Sequence, residues 1–132
     1  MAWTEAFLVL LLAHVIGDFL LQTEFQATNK VGGLGRDPVS RRALLSHLAT
    51  YSAPMAAALL WLLLDDVGVG RALLAMVVAL GTHLVQDDGR LLKRYVLAVK
   101  HTDAQVGTPL WIAIDQSAHF VWLALAAIVA AG

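Results

Sequence analysis

Residues 12–22 read LAHVIGDFLLQ. The run is greasy enough to lie inside a membrane, yet it carries an imidazole, a carboxylate and an amide four residues apart, at His14, Asp18 and Gln22. That spacing stacks side chains on one face of a helix. Ionisable groups are costly in hydrocarbon, and those found there usually serve a function. The segment therefore reads as a membrane span that carries a site, and the rest of the chain repeats the pattern.

Composition supports the membrane reading. Of 132 residues, 59% are hydrophobic and only 14% charged, against about 25% charged in an ordinary soluble domain. Four apolar stretches lie near residues 3–24, 43–64, 70–88 and 109–131, each approaching the ~20 residues a spanning helix needs. The first lacks a basic leader and is interrupted by Asp18, so it reads as a retained span and not a cleaved signal. The expected fold is all-α: one integral membrane domain over residues 1–132, built as a four-helix transmembrane bundle. Between spans three and four, Leu91, Leu92, Tyr95, Val96 and Val99 interleave with Lys93, Arg94 and Lys100, which predicts a short amphipathic helix at the interface. Asp37-Pro38 and Thr108-Pro109 read as helix starts. A net charge of −1 argues against nucleic acid as a partner. With no cysteine, any metal must be held by His, Asp, Glu or backbone oxygen.

Basic residues set the expected orientation. Lys30, Arg36, Arg41, Arg42, Arg90, Lys93, Arg94 and Lys100 fall on one side of the bundle, and Arg71 alone on the other. The positive-inside rule makes the crowded side cytoplasmic and leaves both termini outside an inner membrane. Trp3 and Trp61 then suit the outer interface, Trp111 and Tyr95 the inner one.

The third apolar stretch holds His83 and Asp87, again four apart; the fourth holds Asp115 and His119 in reverse order, and the second contributes His47. Spans one and three run inward and span four runs outward. The reversal therefore places His14, His83 and His119 in one layer, with Asp18, Asp87 and Asp115 about 6 Å nearer the cytoplasm. Facing carboxylates repel unless protonated or bound to a cation. Imidazole and carboxylate on facing helices suit a divalent metal. His14, Asp18, His47, His83, Asp87, Asp115 and His119 are too many donors for one tetrahedral ion and suit two. The expected cofactor is a pair of divalent ions, zinc first, with iron or manganese as alternatives.

Other polar residues have plainer readings. Gln22, Ser46, Thr50, Tyr51, Gln86 and Gln116 read as hydrogen-bonding glue between helices. Asp65 and Asp66 read as a solvated turn, Asp88 as a helix-end charge in water and His101 as a surface residue. Gln22, Lys30, Arg90 and Arg94, with Lys93, surround the expected mouth and could hold an anionic head group; ordinary loop charge explains the basic ones equally well.

The blocks LLAHVIGDFLLQT, NK, the single His opening span two, THLVQD and IDQSAH resemble a bacterial membrane family catalogued as domain of unknown function 3307, over nearly the whole chain. More distantly, the His–Asp spacing is similar to inner-membrane proteins classed as metal-dependent hydrolases, and through them to the zinc-dependent phospholipase C and P1 nuclease group. That likeness implies that the seven His and Asp residues are ligands. The phospholipase group also uses an amino-terminal Trp as a backbone ligand. Trp3 follows Met1-Ala2 on the expected outer side and cannot play that part.

The leading expectation is metal-dependent hydrolysis of a phosphoester in a lipid or lipid-linked substrate at the cytoplasmic leaflet, with Asp18 or Asp115 as general base. Two other classes stay open: a di-iron membrane oxidoreductase, and a non-enzymatic metal- or proton-binding subunit. A homo-oligomer or a membrane partner also stays open.

Overall fold

The computed structural model describes Met1–Gly132 and contains helices only. Helix α1 spans Trp3–Val15 and continues directly into a π-helical turn, Ile16–Leu20. There Leu21 N bonds Ile16 O at 3.0 Å, five residues back. Helix α2 spans Glu24–Asn29, α3 Pro38–Leu64, α4 Val69–Asp87, α5 Arg90–Val99 and α6 Pro109–Ala131. The first long element, Trp3–Leu20, with α3, α4 and α6 are each long and apolar enough to cross a membrane.

Local chemistry fixes the boundaries. The first helical run stops at Leu20, short of the expected residue 24, because Thr23 opens a new helix with a reciprocal cap. Its Oγ1 accepts from Gln26 N at 3.3 Å and its own N–H donates to Gln26 Oε1 at 2.9 Å. Asp37 caps α3 by accepting from Ser40 N at 2.7 Å, with Pro38 in the first turn. That hydrogen bond holds the Asp37 carboxyl below the usual carboxylate range. The α3 helix thus starts five residues ahead of its apolar stretch. Thr108 and Pro109 start α6 in the same manner.

The four long helices close a ring in which α1 touches α3 and α6, and α4 touches α3 and α6. Small residues line the seam: Ala6 and Ala13 on α1, Ala72, Ala75 and Ala79 on α4, Ala126, Ala127 and Ala130 on α6, all buried. Small side chains let helix backbones approach closely, which is how helices associate where lipid tails remove the usual hydrophobic drive. Leu, Val, Ile and Phe side chains cover the outside, many of them more than half exposed, a surface that would suit lipid.

Both ends of the chain meet at one end of the ring. The Met1 amino group lies 3.9 Å from Asp65, and Arg71 Nη1 donates to Ala131 O at 3.1 Å. The loop after α2 closes the opposite end against the α4–α5 corner, where Gly32 N donates to Asp88 O at 2.7 Å and Leu34 N to Asp88 Oδ1 at 2.8 Å. Gly89 makes that corner with φ of 72°, a left-handed conformation that disfavours a side chain. A Cβ there would also press on Val31 and on Trp111. Trp111 is buried under this corner, so it does not face an interface as its sequence position suggests.

Candidate metal centre

The apolar seam ends, at the loop-closed end, in a polar cluster. His14 and Asp18 come from the first helix and its π-turn, His47 from α3, His83 and Asp87 from α4, and Asp115 and His119 from α6. The π-turn carries Asp18 across to α3, a reach that a continuous α-helix would alter. Its neighbour Gly17 leaves room for the Tyr51 ring, which any Cβ at that position would strike. Single π-turns inside α-helices recur at functional sites.

Two imidazoles and two carboxylates converge. His47 Nε2 lies 3.1 Å from Asp18 Oδ1 and 2.9 Å from Asp87 Oδ2. His83 Nε2 lies 3.5 Å and 3.1 Å from the same two oxygens, and the two Nε2 atoms are 3.2 Å apart. A tetrahedral ion with bonds of ~2.0–2.1 Å would hold its donors about 3.3–3.4 Å apart. These five separations, 2.9–3.5 Å, bracket that edge. All four residues are buried, and together they can hold a metal ion.

Asp87, Asp115 and His119 form a second donor group that shares Asp87 with the first. His119 Nδ1 lies 2.9 Å from Asp115 O. A carbonyl only accepts, so Nδ1 carries the proton and Nε2 faces inward. Nε2 sits 3.5 Å from Asp87 Oδ1, and neither atom has a hydrogen-bond partner. Two buried, unsatisfied polar atoms facing each other are rare and costly; a cation between them, proton or metal, satisfies both. Orientation of a ligating ring by a carbonyl on its far nitrogen is also what metal-bound histidines show. Asp115 is the most accessible member, its side chain 14% exposed.

His14 belongs to neither donor group. Its Nε2 donates to Gln116 Oε1 at 2.9 Å and its Nδ1 accepts from Tyr51 Oη at 3.0 Å, which uses both nitrogens. It still shares a layer with the other rings, 5.0 Å from His119 and 5.9 Å from His83 between centroids. Its role here is to brace. Gln116, held by His14, donates from Nε2 to Asp18 Oδ2 at 3.2 Å, and Tyr51 stacks on His83 with centroids 3.5 Å apart and planes 8° from parallel. Tyr51 and Gln116 do bridge helices, as the glue reading holds, but what they bridge is the cluster. Tyr51 lies four residues after His47, and that spacing is the signal that places it on the same face.

Lys30 and Asp88 also differ from their sequence reading. Lys30 is not a rim charge: it is only 9% exposed, and Nζ donates to Asp87 Oδ2 at 2.8 Å and to Gln22 Oε1 at 2.7 Å. Asp88 is not in water: it is 4% exposed, accepts from Leu34 N, and takes Arg90 Nε at 2.5 Å. Arg90 is therefore tied to a structural carboxylate, whereas Arg94 is exposed on α5. A backbone N–H that needed a partner decided the fate of Asp88, and no residue pattern announces that.

The family model described as "Protein of unknown function (DUF3307)" matches residues 6–131 of the chain, so the chain belongs to that family. No curated protein and no solved structure matches it.

Proposed function

We propose that this member of the DUF3307 family is a metal-dependent membrane hydrolase that cleaves a phosphoester of a lipid or lipid-linked substrate at the cytoplasmic leaflet of the inner membrane. The observation that carries the reading is the sharing of Asp87 between a four-donor group and a three-donor group. Closed sites with four protein donors are structural, whereas catalytic sites keep a position open. The four-donor group suits a resident ion, zinc first, and the three-donor group suits a second ion that meets substrate. Divalent ions bound here would lower the pKa of water and neutralise charge building on a phosphoryl group.

The chain's own residues divide the remaining work. Asp18 has both oxygens engaged, by His47 and by Gln116, which suits holding rather than proton transfer. Asp115 has the freer carboxylate, with Oδ2 3.4 Å from Gln116 Nε2, and is the better placed of the two expected general bases. Arg94, with Lys93 and Lys100 on and beside α5, is exposed at the same end and suits an anionic head group. Crowding of basic residues at that end supports its cytoplasmic placement.

Elemental analysis of detergent-purified protein, paired with phosphate release from phosphomonoester and phosphodiester lipids in mixed micelles, tests the reading. Expected are bound zinc and turnover that a chelator abolishes and zinc restores. Bound iron with an oxygen-dependent optical signal would move the protein to the oxidative class. Protein that folds and holds no metal would overturn the proposal.

A further inference from the structure

The ammonium of Lys30 lies on Asp87 Oδ2, the oxygen that His47 Nε2 and His83 Nε2 also approach, at 2.9 and 3.1 Å. Asp87 is a member of the four-donor group, and Oδ2 is the oxygen it turns toward both imidazoles. A lysine is therefore seated where a metal ion would have to bond. Two cations on one buried oxygen repel strongly, because the interior screens charge poorly. An ion entering among Asp18, His47, His83 and Asp87 must then evict the ammonium or be refused.

We propose that Lys30 is a displaceable internal cation that sets the charge selectivity of the metal site. While no metal is bound it neutralises Asp87, which would otherwise be a buried carboxylate beside a second one at Asp18. A monovalent ion that replaces an ammonium brings no additional charge to the carboxylates. A divalent ion brings twice the charge and can bond four donors at once, so only a divalent ion gains enough to evict the lysine. The local chain permits eviction. Lys30 is the C-cap residue of the short helix α2, its side chain keeps 11% exposure, and Gly32, two residues on at φ of 83°, has open space beside its Cα. The inference rests on the metal reading above.

The chain contains three lysines, and Lys93 and Lys100 are exposed, which gives an internal standard. Acetylation with an amine-reactive ester, quantified by peptide mass spectrometry, reads the accessibility of each lysine in the intact protein in detergent. With sodium or potassium alone, Lys30 should label far more slowly than Lys93 and Lys100. With zinc added, its labelling should rise toward theirs while theirs stays fixed. In parallel, Lys30→Met removes the competitor, and zinc binding should tighten by roughly 10-fold, within the ~5–150-fold range of ordinary couplings between sites. Zinc bound at full occupancy with Lys30 still protected would overturn this inference and leave the metal reading standing. Folded protein that binds no zinc would overturn both. If Lys30→Met does not fold, the labelling of the unaltered chain decides.

Discussion

Replacing Asp87 with Asn keeps the shape of the side chain and removes its charge, and it strikes the one residue common to both donor groups. In the metal-free protein, Lys30 loses its ion-pair partner at 2.8 Å within a buried pair whose side chains are 11% and 1% exposed. Removing one partner of a buried pair typically costs about 3–5 kcal/mol. Removing residues that merely orient a ligand costs about 10–100-fold in metal affinity. Loss of a shared anionic donor should exceed that range and empty both positions, so metal per protein should fall to background. Asp88→Asn is the control, since it changes the adjacent carboxylate. It weakens the acceptor for Leu34 N and the partner of Arg90, a loss of about 1.5–3 kcal/mol for hydrogen bonds involving a charged group. Its metal content should stay at the level of the unaltered chain. Mass-spectrometric metal analysis after size exclusion, alongside thermal unfolding, separates the two effects. Equal metal loss in both folded variants would refute the assignment of Asp87 as the shared donor.

Gln116→Ala should lower zinc affinity by about 10-fold without abolishing binding, because it frees Asp18 Oδ2 from its orienting donor; metal titration reads this directly. Gly17→Ala should destabilise the fold by about 1–3 kcal/mol, because the new methyl meets the Tyr51 ring; thermal unfolding in detergent measures it. A reporter fused after Gly132 should be active outside the cytoplasm, from the placement of eight of nine basic residues at the other end; activity confined to the cytoplasm would contradict the orientation.

Much of the architecture is legible in the sequence because membrane helices announce themselves through length and apolarity, and Pro after Asp or Thr marks where they begin. The convergence of His47, His83, Asp18 and Asp87 is legible for a related reason. Residues four apart share a helix face, and charge has nowhere to turn in an apolar bundle except inward. What escaped is chemistry of the connections. Lys30 looks like any loop lysine until the loop after α2 folds back over the bundle end and delivers it to Asp87. Asp88 looks solvated until Leu34 supplies an N–H that needs an acceptor. His14 has the ligand spacing to Asp18, yet Tyr51 and Gln116 claim both of its nitrogens. Competition among three-dimensional partners decides such cases, and spacing along one helix carries no record of it.

The π-helical turn at Ile16–Leu20 has a consequence for how the chain tolerates length change. Elsewhere in a spanning helix, deleting one residue turns everything beyond it by about 100° and scrambles the packed face. Here one residue already exceeds what an α-helical register needs. Removing Phe19 or Leu20, both exposed on the outside of the bundle, would let the segment relax into ordinary α-helix. Ala6, Leu10 and Ala13 would keep their seats in the seam, and Asp18 would swing out of reach of His47. The first helix thus contains a register shim, and a single-codon deletion there offers a way to disarm the centre while sparing the scaffold that carries it.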